Sequence, residues 1–258
     1  MNPRDHSRLT SGDLIAALDL PDAALINQRV AKKLLLENAS PTAADRKLIQ
    51  NAVEEITWVA ALKPTSIGVP EYRDEQRSYL EVAVLATRLR ETGKVRRLAE
   101  LIHRAIPYPV MLVLSDGNEL MLSLAHIRCA QNEADETVLD GEPIRGQLFD
   151  EQSGFSEFLQ ALSLRRQPRT NLRTLYQGWI DTLTAWQVRS ITGRFVVSST
   201  AEHAAERRAA LHRCQEIDGE VSRLRLVAKK EKQMARQVTI NLNIQALLAE
   251  REQAAASL

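Results

Sequence analysis

Three carboxylates are the residues of this chain best suited to metal-dependent chemistry. Glu81 lies on a predicted buried strand, and Asp116 and Glu119 flank a predicted turn. A magnesium-dependent phosphodiesterase holds its metal with two acidic groups and adds a lysine, commonly as Glu-x-Lys on a strand. Glu81 is followed by Val82 and Ala83 rather than by this lysine, so the set is incomplete. A divergent metal-dependent nuclease is therefore one alternative, and a strand-edge charge at Glu81 with a turn former at Asp116 is the other.

Motifs for other catalysis or for cofactor binding are incomplete. The sequence contains no GxGxxG and no HExxH motif, and the segment 141–147 has the glycine spacing of a phosphate loop without its lysine and hydroxyl. The five histidines are isolated, and the two cysteines, Cys129 and Cys214, are far apart, which argues against a disulfide framework and a four-cysteine zinc site. These observations favour a protein that is non-catalytic and binds neither a cofactor nor a metal.

His103 has the most distinctive position among the histidines. It lies on a predicted helix just before Pro107 and Tyr108. One interpretation is an acid/base group or a nucleic acid contact beside Tyr108. The other is a cation that complements the dipole at the C-terminal end of the helix. His126 and Arg128 end a predicted strand, where they would either contact a phosphate or be solvated.

Two groups of cations are candidate sites for nucleic acid. One group is on the second predicted helix and consists of Arg29, Lys32 and Lys33. The other is on the last predicted helix and consists of Arg223, Arg225, Lys229, Lys230, Lys232 and Arg236. Six cations over about four turns would bind phosphate or an acidic protein surface. The alternative is a solvated helix face.

Composition limits the class of protein. The chain has 258 residues, 44% of them hydrophobic, and a formal net charge of +1. This is a globular composition, and it excludes a protein that coats nucleic acid by bulk charge. The first residues are polar, and no apolar run approaches the length of about 20 residues that a membrane helix needs. We therefore expect a cytoplasmic protein without a membrane contact.

Apolar spacing predicts three parts: a helical region over residues 1–75, an α/β core over 76–154 and a helical region over 155–258. In the first part, helices are predicted near residues 11–18 and 24–37 and from Thr42 past Val59, where apolar residues share one helix face. The core has a strand over 79–90, a helix from Val95 and an antiparallel meander from residue 110.

The last part is predicted to contain two helices. Apolar residues between Leu172 and Trp186 define the first. A long charged helix begins near Ala201 and carries a coiled-coil-like seam, which is weak at Glu231. The alternating segment 238–244 fits a strand or a continued helix, and we favour helix because no turn signal interrupts it. The fold class is therefore α+β, with a small, mostly antiparallel sheet, a helix packed on it and a long C-terminal helical arm.

Several segments together resemble one uncharacterised bacterial family, known only as a domain of unknown function. They include INQRVAKKLLLEN (26–38), ALKPTSIGV (61–69), LIHRAIPYPVMLVL (101–114) and KKEKQMARQVTINLNI (229–244). The resemblance implies a gene setting beside helicases and DNA methyltransferases in restriction or phage-defence loci. It supplies no catalytic residues. Four further residues of these segments have no assigned role: Lys63, His103, Pro107 and Tyr108.

These observations lead to one functional hypothesis and two alternatives. The hypothesis is a non-catalytic accessory subunit that binds a helicase or DNA methyltransferase through its C-terminal helices, and DNA through its two groups of cations. The alternatives are the nuclease above and a self-assembling structural protein that forms a homodimer through the last helix.

Overall fold

The computed structural model describes residues 9–39, 41–91, 93–130, 137–149 and 153–258. The helices are α1 (Ser11–Ala17), α2 (Lys32–Asn38), α3 (Ala43–Ala52), α4 (Pro64–Ile67), α5 (Val95–Ala105), α6 (Phe155–Leu162), α7 (Leu172–Thr192), α8 (Ala201–Lys230) and α9 (Met234–Ala255). The strands are β1 (Leu25–Arg29), β2 (Val53–Leu62), β3 (Tyr72–Arg73), β4 (Ser78–Tyr79), β5 (Val82–Leu89), β6 (Val110–Ser115), β7 (Leu120–Ala125), β8 (Ile127–Cys129), β9 (Thr137–Leu139) and β10 (Ile144–Leu148). The α+β class is confirmed. None of the described helices is both long enough and apolar enough to cross a membrane.

The chain divides into two compact units, Met1–Leu183 and Thr184–Leu258. The first unit contains a six-stranded sheet in the order β1-β2-β5-β6-β7-β10. Its neighbours are antiparallel except β5 and β6, which are parallel and joined through α5. Ala83 is opposite Val110 and Arg88 is opposite Ser115 in that parallel pair. This register fixes which residues meet at each end of the sheet.

The core of the first unit lies between this sheet and α2, α3 and α5. Alternate residues of β5 and β6 face these helices, as a pleated strand requires. The buried strand residues in this cluster include Ala83, Leu85, Leu89, Val110, Leu112 and Leu114. On the helix side, Leu98 and Ile102 of α5 are fully buried. Tyr176 connects α7 to the sheet, because its hydroxyl donates to the Val110 carbonyl at 2.7 Å and accepts from the Ala125 N–H at 2.8 Å.

Two of the helices predicted within residues 1–75 are wrong in part. The segment predicted as one helix over 24–37 contains the strand β1 before α2. The helix predicted from Thr42 past Val59 ends at Ala52, where β2 begins. This helix begins with a capping box between Thr42 and Asp45. β1 is an edge strand whose residues are all exposed, so burial offered no pattern from which to predict it.

The second unit is built on an antiparallel pair of helices, α8 and α9, which we call the hairpin. The predicted seam on α8 is confirmed over Cys214, Ile217, Val221 and Leu224, which are all buried. These residues pack against α9 through a cluster that includes Ile240, Ile244, Leu247 and Leu248. The seam does not continue along one straight helix. The chain leaves helical geometry at Glu231 and turns back, and residues 238–244 are helical as predicted.

Candidate functional site

Most of the C-terminal cations lie at the turn of the hairpin. We define the hairpin tip as residues 225–236. Its cations are all exposed: Arg225, Lys229, Lys230, Lys232 and Arg236. Glu231 is the single acidic residue of this segment, and its Oε1 accepts from the N–H groups of Lys232 and Gln233, both at 2.8 Å. The tip is therefore a strongly positive surface, and the carboxylate of Glu231 stabilises the backbone of its turn.

Arg223 is the member of the predicted group that this surface does not include. Its Nε and Nη2 donate to the carboxylate of Glu220 at 2.8 and 2.6 Å. This hydrogen-bonded carboxylate raises the pKa of Arg223 and neutralises its charge locally.

Apolar side chains lie among the tip cations. Leu226 is 63% exposed, Val227 41% and Met234 76%. Such large exposed apolar side chains are costly in water, and when they cluster they mark interaction surfaces. The tip thus combines apolar anchors with positive charge, which suits a protein partner of acidic character or the phosphates of DNA.

The N-terminal group of cations is divided by the structure. Lys32 Nζ donates to the Val53 carbonyl, and burial together with Arg90 and Arg29 lowers the pKa of Lys32. This lysine therefore serves the junction between α3 and β2 and is a poor candidate for DNA. Arg29, at 72% side-chain exposure, and Lys33, at 79%, remain at the surface, where Arg29 lies 4.0 Å from Glu55 and Lys33 lies 3.3 Å from Glu37.

Two arginines that the sequence analysis did not select lie at the same end of the sheet. Arg90 Nη1 donates to the carbonyls of Gln50 and Asn51 at 3.3 and 3.1 Å, which caps the C-terminal end of α3. Arg88 forms ion pairs with Glu54 at 3.0 Å and Glu55 at 3.1 Å. The sequence around these two arginines does not indicate their partners, because the partners lie more than 30 residues away along the chain.

A cavity of about 400 Å³ adjoins Arg88 and Glu55 near the carboxyl ends of β5 and β6. The rest of its lining is mostly small or hydroxyl-bearing: Leu9, Thr10, Ser11, Thr57, Ala86, Thr87, Ser115 and Gly117. Arg88 faces two carboxylates, which leaves a local charge of about −1, so the cavity does not favour an anion.

The three carboxylates of the nuclease alternative do not come together. Glu81 precedes β5 and pairs with Lys63 Nζ at 3.1 Å, whereas Asp116 and Glu119 follow the other end of β6. The parallel register separates these two ends by about 25 Å at 3.3 Å per residue. Residues so far apart cannot hold one metal ion. No group of three or more potential ligands is present in the part of the chain that the structure describes.

His103 is neither a surface cation nor an exposed contact. It is buried, and its Nε2 lies 2.9 Å from Ser123 Oγ. Burial, with a smaller effect of Arg145, lowers the pKa of His103 to about 3. Because the side chain is buried, it is neither a solvated cation at the end of α5 nor a surface contact for nucleic acid.

Tyr108 and Pro107 lie beyond the end of α5. Tyr108 is half-buried and packs edge-on against Trp58, with ring centroids 6.5 Å apart. Pro107 is exposed. Among the residues of unassigned role, Lys63, His103 and Tyr108 thus make contacts that stabilise the first unit.

A chain of polar contacts that was not predicted from the sequence runs through His126. Tyr79 bonds to Nδ1 of His126, whose Nε2 lies 2.8 Å from Gln177 Oε1, and Gln177 Nε2 donates to Asp181 at 2.9 Å. This chain joins the sheet to α7 and gives His126 a structural role. Arg128 donates to the Cys129 carbonyl at 3.3 Å.

Comparison with protein families gives a match over most of the chain. The profile of the family described as "Domain of unknown function (DUF4391)" matches residues 18–250. No curated protein and no solved structure matches the chain.

Proposed function

The chain belongs to the DUF4391 family, a domain family of unknown function, and we propose that it is a non-catalytic accessory subunit of a bacterial restriction or phage-defence system. In this proposal the hairpin tip binds a helicase or DNA methyltransferase subunit, and its cations also contact DNA. The gene setting implied by the signature segments supplies the class of partner.

The observation that carries this proposal is the chemistry of the hairpin tip. A helical pair that served only stability would direct its apolar residues to the seam, as Ile217 and Val221 do. Instead, Leu226 and Met234 are mostly exposed at the end of the hairpin, beside five exposed cations. Exposed apolar anchors with a charged rim are typical of a protein interface.

The residues best suited to catalysis support a non-catalytic role. Glu81 pairs with Lys63, His103 is buried and neutral, and Asp116 lies at the opposite end of the sheet from Glu81. Glu81 is therefore separated from Asp116 and Glu119, and the three carboxylates do not assemble around one position.

Copurification from the native host tests the protein contact. The tagged full chain should capture a helicase or DNA methyltransferase in constant ratio, and nuclease treatment should not release it. Leu226→Glu with Met234→Glu should reduce this capture at least about tenfold, because both anchors would become charged. Gln215→Glu, an exposed change on α8 away from the tip, is the matched control. Equal capture by the tip variant and wild type, or no such enzyme with either, would refute the proposal.

The contribution of DNA is measured separately with a duplex of random sequence. Phosphate contacts by the tip predict that log K falls steeply and linearly as log salt rises. Replacing Lys229, Lys230 and Lys232 by Glu should flatten this slope and weaken binding. A control variant carries the same three charge reversals at the exposed cations Arg46, Lys47 and Lys94. Equal binding by both triple variants would show that the tip does not hold DNA.

A further inference from the structure

One side of α9 is exposed and uncharged. Residues 237–249 include no ionisable side chain, although 26% of the chain is charged. Ile240 and Ile244 of this segment face α8, whereas Val238 is 51% exposed and Leu242 66%. Gln245 and Ala249 are also exposed and follow at helical spacing. We call Val238, Leu242, Gln245 and Ala249 the α9 stripe.

The charges around the stripe differ at its two ends. The hairpin tip carries five exposed cations against Glu231. The other end of the hairpin, residues 201–219 and 250–258, which we call the base, carries six carboxylates against four arginines, a formal net charge of −2. Within the base, Arg213 forms ion pairs with Glu216 and Glu250, and Arg251 with Asp218. The base carboxylates are Glu202, Glu206, Glu216, Asp218, Glu250 and Glu252. The hairpin is therefore positive at the tip and negative at the base, with an uncharged surface between them.

We propose that the α9 stripe binds the same stripe of a second copy of this chain, in antiparallel orientation, with a two-fold axis near Leu242. The antiparallel orientation places each positive tip beside the negative base of the other copy. A parallel pair would instead bring the two tips together, so ten cations would repel one another at one end. This charge pattern is complementary to itself, as an interface of two identical surfaces requires.

The dimer adds to the proposed function by giving the number of tips that one assembly presents. It rests on that function only in one respect, that the hairpin serves for interaction. The two tips lie at opposite ends of the paired α9 helices, so each dimer presents two copies of the tip. A partner enzyme that binds the tip would then be held in two copies per dimer.

Light scattering of the full chain tests the association. Wild type should be a dimer that dissociates on dilution. Leu242→Glu should raise the dissociation constant at least about 100-fold, because two carboxylates would be buried together at the axis. Asn243→Glu, the neighbouring exposed position outside the stripe, is the matched control and should leave the constant within about threefold. A monomeric wild type at high concentration, or equal effects of the two variants, would overturn the proposal.

Cysteine cross-linking tests the orientation, in a Cys129→Ser background in which Cys214 stays buried. Leu242→Cys should form a disulfide-linked dimer on mild oxidation, since residues at the axis approach their own copies. Met234→Cys should not, because its two copies would be about 24 Å apart along antiparallel helices. Efficient cross-linking at both positions would show a parallel pair, and none at Leu242 would exclude the axis.

Failure of the dimer is distinguishable from failure of the accessory role. Leu242→Glu should capture the helicase or methyltransferase as a monomer with an unchanged ratio per chain. A monomeric wild type that still captures the enzyme would overturn the dimer alone.

Discussion

His103 gives the most direct test of the packing in the first unit. Its imidazole is fully buried and neutral with a pKa of about 3, whereas an unfolded histidine has a pKa of about 6.5. The unfolded state therefore binds the extra proton, so this residue lowers the stability as pH falls below about 6.5. Between pH 7.5 and pH 5 the linkage amounts to about 2 kcal/mol, and the full loss is reached near pH 3.

The assay compares wild type with His103→Gln. Glutamine can keep a hydrogen bond to Ser123 but does not titrate, so its cost at pH 7.5 should be about 1 kcal/mol. Urea unfolding of the full chain at pH 7.5 and pH 5, followed by tryptophan fluorescence, gives the free energy of unfolding for each protein. Wild type should lose about 2 kcal/mol more than the variant between the two pH values, because contributions of all other groups cancel in the difference. An equal loss in both proteins would refute the neutral buried imidazole.

Three further predictions concern other contacts. Arg97 holds the pKa of Asp45 well below its usual range through hydrogen bonds at 2.8 and 2.9 Å. Wild type should therefore lose stability as pH falls below about 4. Asp45→Asn should remove that pH dependence, which acid titrations followed by circular dichroism would measure. Gly178→Ala should lower the melting temperature, because the new Cβ would lie 2.6 Å from Gln167 Oε1. Ile244→Ala should cost about 2–4 kcal/mol of hairpin stability, measured by helical circular dichroism during urea unfolding, and a loss below about 1 kcal/mol would contradict a packed seam.

The boundary between α3 and β2 shows why periodicity misled the sequence analysis. Val53, Ile56 and Val59 are buried at a spacing of three, which is typical of a helix. In the structure they lie on a strand whose register shifts between Val53 and Glu55 and again between Trp58 and Ala60. Each irregularity interrupts the strict alternation of a flat strand. A strand irregular at two points therefore mimics helical spacing, although the β-branched and aromatic residues of the segment favour a strand.

The candidate sites were harder to predict than the elements, because the partners of polar residues are distant in sequence. His103 bonds to Ser123, Lys32 to the Val53 carbonyl, and Glu81 to Lys63. Hydrophobic spacing correctly placed His103 on a helix, but it gave no information on whether that side chain finds a buried partner. A histidine suggests a group that gains and loses protons, but burial beside Ser123 keeps His103 away from solvent.

Glu231 shows what the sequence can reveal once its physical role is clear. A charged residue interrupts the seam at this position, between the apolar residues of α8 and those of α9. Without Pro or Gly nearby, this pattern fits a weak point in one long helix as well as a turn. The structure makes it a turn, in which the carboxylate accepts from two backbone N–H groups at 2.8 Å. Because the chain reverses there, cations that would be spread along about four turns of a straight helix are gathered at one end of the hairpin. The same reversal brings α9 back along α8, whose seam α9 covers on one side, and leaves the uncharged side of α9 exposed. Both surfaces on which the functional proposals rest therefore depend on the turn at Glu231.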